Sequence, residues 1–212
     1  MKKTLLLSGF VLLFFSLLFM SMSFEKKEML EIGAPLPMAD IKMENIDENE
    51  YSFNDIKKEN GLLVIFSCNT CPFVVGNGSK SEGWENRYPG IGELCEKLDI
   101  GMVLVNSNEA KRKGDDSMAE MKDHYKAKNY NCYYVVDENS VVADEFGALT
   151  TPHVYLFDAN MKLVYRGAID DNVARKDDVK EYYLNDALEN MVKGETINPQ
   201  TTRQLGCSIK RV

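Results

Sequence analysis

The stretch LLVIFSCNTCP, residues 62–72, decides the fold of this chain and points to its chemistry. It joins an apolar run, residues 62–66, to Cys68, Cys71 and Pro72. A run that is apolar at every position is typical of a strand buried on both faces. Pro72 suits the first position of a helix, because the amide that proline lacks has no intrahelical partner there. We therefore predict a strand, a turn that holds both cysteines, and a helix.

Two cysteines separated by two residues at such a turn indicate a redox-active pair. Helix amides and the helix dipole favour a thiolate on the first cysteine, and the second is near enough to close a disulfide with it. The alternative is half of a zinc site, which needs four ligands, usually from a second cysteine or histidine pair. The remaining candidate ligands stand singly in the sequence: Cys95, Cys132, Cys207, His124 and His153. We therefore predict a redox pair with no metal ligands and no cofactor.

The first 23 residues have the pattern of a secretory signal peptide. Lys2 and Lys3 precede an apolar stretch, residues 5–20, and the small residues Ser21 and Ser23 follow it. An uncleaved membrane anchor is the alternative, although the stretch is slightly short for a membrane span. We predict export across the inner membrane, to the periplasm or to an anchored position that faces the extracytoplasmic side. Because disulfides persist there, partner proteins would have to keep the pair in its working state.

Composition restricts the class of protein further. The net charge is −8, and loss of residues 1–23 with their two lysines would change it to about −10, which argues against a nucleic-acid partner. Five cysteines are too few and too irregular for a disulfide-scaffolded mini-protein. We assign residues 1–23 to a signal peptide or anchor, residues 24–194 to one domain, and residues 195–212 to a C-terminal tail.

The rest of the chain alternates between strand and helix patterns. After an N-terminal extension with short strands, we predict strands at residues 62–66, 100–106, 133–136, 154–158 and 162–167. We predict helices at residues 72–98, interrupted by turns at 76–79 and 88–90, and at 117–128, 141–146 and 177–193. Helices between buried strands imply an α/β fold, with a central sheet flanked by helices. Ligands of such sheets gather at the carboxyl ends of the strands, where Cys68 lies.

The ordered motifs resemble the thioredoxin-like superfamily and, within it, the peroxiredoxin-like redoxin branch with a CxxC motif. They are FSCNTCPF at 66–73, VNSN at 105–108, VVDE at 135–138, TPHVYLFD at 151–158, YRG at 165–167, IDDN at 169–172 and GCSIK at 206–210. Together they extend over nearly the whole chain after residue 32. The resemblance implies a thioredoxin-like fold for residues 24–194, with a central mixed sheet.

The resemblance also implies roles for individual residues. Cys68 matches the attacking cysteine of this superfamily, and Cys71 matches the resolving cysteine. Pro152 matches a proline that these folds hold in the cis form beside the cysteine pair, although a proline at the start of an ordinary strand is the alternative. A cis proline would leave the backbone of Thr151 free to pair with an extended substrate. The predicted substrate-binding residues are Thr151, Pro152, Asn69 and Thr70.

Two departures from the resembled families bear on the reaction. Peroxiredoxins carry a threonine three residues before the peroxidatic cysteine, and also an arginine. When the Cys-Pro dipeptides are aligned, Cys71 takes the peroxidatic position and Cys68 replaces the threonine, while Arg166 is a poor substitute for the arginine. Leu62 stands where thioredoxin has a buried aspartate, and no base for Cys71 lies nearby in the sequence. Dithiol exchange is therefore favoured over peroxide reduction.

We accordingly predict an extracytoplasmic thiol–disulfide oxidoreductase of the reductase or isomerase type. Its partners would be protein disulfides or dithiols and an extracytoplasmic electron donor, with membrane contact only if the N-terminal segment stays uncleaved. A thiol-dependent peroxidase is one alternative. A copper-binding assembly factor is another, because soft thiolates suit Cu(I), and its ligands would be Cys68, Cys71 and His153.

Three cysteines lie outside the pair. We predict that Cys95 and Cys132 pack in the core as small hydrophobes, and that Trp84 is also buried. Cys207 lies in the polar tail, within a motif that recurs in the resembled family. It is a candidate auxiliary thiol that folds back for exchange or closes a structural disulfide, and an unpaired tail thiol is the alternative.

Overall fold

The structure is a computed structural model that describes residues 28–212. The signal peptide or anchor predicted for residues 1–23 lies outside this range. Within the described residues, no helix combines the length and the apolar composition needed to cross a membrane.

Short strands and helices alternate along the chain. The strands are β1 (Met43–Glu44), β2 (Glu50–Tyr51), β3 (Leu62–Ser67), β4 (Gly101–Asn106), β5 (Tyr133–Val136), β6 (Thr150–Thr151), β7 (His153–Phe157), β8 (Leu163–Gly167) and β9 (Cys207–Ser208). The α-helices are α1 (Phe53–Ile56), α2 (Pro72–Val75), α3 (Tyr88–Lys97), α4 (Met118–Ala127), α5 (Val141–Phe146) and α6 (Tyr183–Lys193).

Five strands form the central mixed sheet, in the order β5-β4-β3-β7-β8. Strands β3, β4 and β5 are parallel, whereas β7 runs antiparallel to both β3 and β8. Residues alternate between the two faces of a strand, so Leu63 and Ile65 pack on one face and Val64 and Phe66 on the other. The sheet thus separates two hydrophobic cores. The first core lies on the face of Leu63 and Ile65 and includes residues of α2, α3, α4 and α6. The second core lies on the face of Val64 and Phe66 and includes residues of α1 and α5. The predicted α/β fold with a flanked central sheet is confirmed.

The segment between α2 and α3 differs in part from the prediction. The predicted interruption after residue 75 is confirmed: Gly76 ends α2 with φ +87°, and a Cβ there would lie 2.7 Å from backbone oxygens of residues 81 and 82. The turn predicted at residues 88–90 is wrong, because α3 begins at Tyr88. Pro89 is accommodated in the first helical turn, where its missing amide leaves no hydrogen bond unmade.

Buried polar contacts hold this segment against the end of the sheet. Trp84 is 1% exposed, as predicted, and its Nε1 donates to Asp170 at 2.6 Å. The Arg87 guanidinium donates to the same carboxylate at 3.1 Å. These contacts fix the segment that precedes α3, and Trp84 packs in the same hydrophobic core as Cys68 and Cys71.

The last helix begins later than predicted. Residues Lys176–Asp178 form a 3-10 turn, and α6 starts only at Tyr183. Its predicted end is confirmed, because Gly194 caps it with φ +70°.

Segments outside the central sheet pair with both of its outer strands. Asn45 bridges Val135 at the β5 edge, and Thr201 bridges Arg166 at the β8 edge. Farther along the tail, β9 pairs antiparallel with β6, which directly precedes β7. The C-terminal tail, for which the sequence has little periodicity, is therefore part of the fold.

Candidate active site at the cysteine pair

Both cysteines lie where the sequence places them, between the carboxyl end of β3 and the start of α2. Cys71 is the N-cap of α2, and Pro72 is the first helical residue. Cys68 is 2% exposed and Cys71 is 4% exposed, so the rest of the fold covers both thiols. The predicted strand–turn–helix arrangement is confirmed.

Thr151 contacts both sulphur atoms. The Thr151–Pro152 peptide bond is cis, as predicted. The Sγ of Cys68 lies 3.1 Å from Oγ1 of Thr151, and the thiol of Cys71 donates to the Thr151 carbonyl oxygen at 3.0 Å. The structure therefore brings together the four residues Cys68, Cys71, Thr151 and Pro152.

The C-terminal tail also reaches the pair. The backbone amide of Cys207 donates to Sγ of Cys71 at 3.3 Å. Strand β9 pairs with Thr150 and Thr151, with Cys207 opposite Thr151. The tail of the same chain is therefore paired with Thr151. The prediction that the Thr151 backbone is free to pair with a substrate is wrong as long as β9 is in place.

The hydrogen bonds shift the pKa values of the two thiols in opposite directions. The pKa of Cys71 is lowered to about 5, chiefly because the Cys68 thiol donates to its sulphur, and the thiol and amide of Cys207 and the amide of Phe73 lower it further. Burial of Cys71 raises its pKa, but these hydrogen bonds outweigh burial. The pKa of Cys68 is raised well above its usual value by the same hydrogen bond, by burial and by the nearby Asp116 carboxylate. From the sequence we expected the thiolate on Cys68, whereas these contacts favour it on Cys71.

Asp116 is a site residue that the sequence did not reveal. It is completely buried, and its carboxylate accepts from the Asn69 amide at 2.8 Å and from the side chains of Asn106 and Asn108 at 2.9 Å. It lies in the charged stretch KRKGDD, residues 111–116, which has the composition of a solvated turn. The network fixes the turn between the cysteines from a loop that follows β4.

The two residues between the cysteines differ in their surroundings. Asn69 donates its side-chain amide to the Asp115 carbonyl at 2.9 Å and accepts from the Tyr134 hydroxyl at 2.8 Å. Its side chain therefore positions the turn, and the contact of Asn69 with a substrate stays a prediction. Thr70 is exposed and, with Asn69, borders a cavity of about 340 Å³ against α4.

His153 and Arg166 lie on the opposite face of the sheet from the cysteines. His153 contacts Tyr155, and Arg166 pairs with Tyr155 in the register of β7 and β8, whereas the cysteines share a core with Val154 and Leu156. Burial lowers the pKa of His153 to about 3. Among residues 28–212, no group of three His, Cys, Asp or Glu side chains is arranged to hold a metal ion. The copper set Cys68, Cys71 and His153 therefore does not fit this geometry.

No protein-family model matches the chain, and no curated protein is similar to it in sequence. Solved structures do resemble it. An uncharacterised conserved protein from Geobacillus kaustophilus is 28% identical, with a TM-score of 0.77 over 87% of this chain and 94% of that chain. A hypothetical protein from Sinorhizobium meliloti is 26% identical, with a TM-score of 0.74 over 87% of this chain and 97% of that chain.

More distant structures identify the fold. A secreted disulfide oxidoreductase from Mycobacterium tuberculosis, described as homologous to E. coli DsbE, is 11% identical. Its TM-score is 0.51 over 74% of this chain and 97% of that chain. At this identity the likeness concerns the fold alone. The chain has a thioredoxin-like fold, as the sequence motifs predicted.

Proposed function

We propose that the chain is an extracytoplasmic thiol–disulfide oxidoreductase that cycles Cys68 and Cys71 between dithiol and disulfide. The observation that carries the proposal is the convergence of both sulphur atoms on Thr151, at the start of a helix. Proteins with this fold include thiol–disulfide oxidoreductases, which supports protein thiols and disulfides as the substrates. The extracytoplasmic location rests on the signal-peptide pattern of residues 1–23.

The hydrogen bond between the thiols gives the Cys68 proton an acceptor, the Cys71 sulphur. Cys68 attacks one sulphur of the substrate disulfide as its proton passes to Cys71, and a mixed disulfide forms. Cys71 then attacks Cys68, the Cys68–Cys71 disulfide forms, and the second substrate thiol leaves. Two electrons pass to the substrate, whose thiols receive the Cys68 proton and one from solvent. A dithiol donor restores the pair.

Access to the site requires the tail to move. Both thiols are buried and β9 occupies the backbone of Thr151, so a substrate strand must take the place of β9. A two-residue ladder with part-exposed residues is suited to such local opening, because few contacts have to be broken.

Reduction of insulin disulfides, with dithiothreitol as the electron donor, tests the proposal. We expect turnover by the wild type and its loss in Cys68→Ser and in Cys71→Ser, because each variant lacks one of the exchanging sulphurs. Cys95→Ala is the matched control, because it removes a buried thiol on α3 outside the site. An unchanged rate in Cys68→Ser would contradict the proposal.

A thiol-dependent peroxidase is the second candidate, and one observation favours it. Cys71, at the peroxidatic position of the Cys-Pro alignment, has a lowered pKa and starts a helix. Arg166, however, faces away from the cysteines. Peroxide consumption that depends on Cys71, without insulin reduction, would favour this candidate over the first.

A further inference from the structure

The tail fixes the position of Cys207 beside the cysteine pair. Ile209 is 5% exposed in the second core, and its amide donates to the Leu149 carbonyl at 3.0 Å. On the other side, the Lys210 amide donates to the Asn108 side chain at 2.9 Å, and the Ala110 amide donates to the Lys210 carbonyl at 2.8 Å. The tail is thus held between the β6 segment and the loop after β4.

The residue before Cys207 lets the tail approach closely. A Cβ on Gly206 would lie 2.4 Å from the Thr151 carbonyl oxygen, so a larger residue would push the strand away. With glycine there, the Cys207 amide reaches the Cys71 sulphur at 3.3 Å. Because Cys68 and Cys71 both contact Thr151, and Cys207 lies opposite Thr151 in the ladder, Cys71 lies beside both Cys68 and Cys207.

We propose that Cys207 is a third redox thiol of this site, which exchanges with the Cys68–Cys71 disulfide. The Cys207 sulphur attacks Cys71, the bond between Cys68 and Cys71 breaks, and a Cys71–Cys207 bond forms. The Cys207 proton ends on Cys68, so the step consumes neither oxidant nor reductant. The inference rests on the proposed function, which supplies the Cys68–Cys71 disulfide.

The exchange changes access to the site. In the Cys71–Cys207 form, a covalent bond ties β9 over the backbone of Thr151, where a substrate strand would have to pair. This form is closed to protein substrates, whereas the Cys68–Cys71 form leaves the tail free to detach.

Electrostatics supports attack from Cys207 in the oxidised protein. Burial raises the pKa of Cys207 to about 11, and the Cys71 sulphur contributes to this rise. When Cys71 is part of a disulfide it carries no negative charge, so that contribution disappears and the Cys207 thiolate forms more easily. Lys210 acts in the same favourable direction.

The test uses the full chain with Cys68→Ser, equilibrated with oxidised and reduced glutathione and mapped by peptide mass spectrometry. We expect a Cys71–Cys207 disulfide in roughly tenfold or greater excess over the Cys71–glutathione mixed disulfide at millimolar glutathione, because a tethered thiol acts at a high effective concentration. Cys68→Ser combined with Cys207→Ser should give the mixed disulfide alone. Gly206→Ala in the Cys68→Ser background should lower the yield of the Cys71–Cys207 bond.

The wild type provides an independent measurement if Cys68→Ser folds poorly. After oxidation by glutathione disulfide and rapid alkylation, we expect a measurable fraction of molecules with Cys68 alkylated and Cys71 linked to Cys207. Cys207 alkylated in every oxidised molecule, or a Cys68→Ser protein that forms only the mixed disulfide, would overturn the inference. If the wild type still reduces insulin in that case, the proposed function stands and only the third thiol is refuted.

Discussion

Cys68 and Cys71 have different surroundings, although two residues separate them. Cys71 receives hydrogen bonds from Cys68, from the tail and from the start of α2, whereas Cys68 lies deeper and near the Asp116 carboxylate. Protons therefore leave the two thiols in separate steps that belong to the pair. The first step leaves the charge mainly on Cys71.

This difference predicts a thiolate that persists in mildly acidic solution. Ultraviolet thiolate absorbance of the reduced protein should rise through a midpoint near pH 5, because the thiolate is present above the lowered pKa and lost below it. In Cys68→Ala the midpoint should rise towards the ordinary value of 9.0, since the principal hydrogen-bond donor is gone.

Two further variants show which cysteine ionises near pH 5. Cys95→Ala should keep the midpoint of the wild type, and Cys71→Ala should abolish the step near pH 5. A step that persists in Cys71→Ala would place the first charge on Cys68, as the sequence alone predicts.

Strand β9 joins the tail to the site. Its two residues are held in place mainly by contacts of their C-terminal neighbours, since Ile209 is buried and Arg211 donates to Asp144 at 2.7 Å and to the Ala148 carbonyl at 2.7 Å. Loss of these contacts would release the strand without unfolding the central sheet.

Ile209→Ala tests whether the tail opens separately from the central sheet. Removal of a buried isoleucine side chain costs about 2–5 kcal/mol, so the tail should open more often. We expect faster hydrogen–deuterium exchange at residues 207–210, with exchange in β3 unchanged. Val212→Ala is the control, because Val212 is 88% exposed. Equal acceleration in β3 and the tail would mean that the tail is not a separate unit of opening.

Local patterns made most elements and the centre of the site predictable. The apolar runs of β3 and β4, the cysteine pair and the Thr151–Pro152 motif each carry their signal within a few residues. A Cys207 that folds back was one predicted alternative, but the pairing of β9 with β6 could not be predicted, because two residues give no periodicity and their partner lies more than fifty residues earlier in the chain. Asp116 was equally hidden, since only the fold shows that its carboxylate is buried and accepts three hydrogen bonds.

At the scale of the whole molecule, a buried carboxylate links the segment before α3 to α4. Glu85 is 2% exposed, accepts from His124 at 2.7 Å and from the Tyr130 hydroxyl at 3.2 Å, and forms an ion pair with Lys128. Burial raises its pKa, but the hydrogen bonds from His124 and Lys128 outweigh burial and leave the pKa below 4.5.

Glu85 should therefore make the fold sensitive to acid. Because its pKa is lower in the folded than in the unfolded protein, its contribution to stability is present above about pH 4.5 and is lost as the pH falls through the folded value. Glu85→Gln should lower the free energy of unfolding by about 1–3 kcal/mol near neutral pH and by less near pH 3.

Urea denaturation at both pH values measures this effect. Glu93→Gln, an exposed position on α3, serves as the control and should change the free energy of unfolding little at either pH. If Glu85→Gln lowered the free energy of unfolding equally at both pH values, the ionised Glu85 carboxylate would be excluded as the source of the stabilisation.

The pairing of Thr201 with Arg166 at the β8 edge has a consequence for the chain as it is made. An unpaired outer strand is a template on which another chain can add, and aggregation can follow. Residues 200–202 close that edge through hydrogen bonds between the Arg166 amide and Gln200 and between Thr202 and the Arg166 carbonyl. They follow β8 by more than thirty residues in the chain, so a nascent chain exposes the β8 edge until residues 200–202 have been synthesised. Their pairing with Arg166 thus protects the folding chain against association with its neighbours.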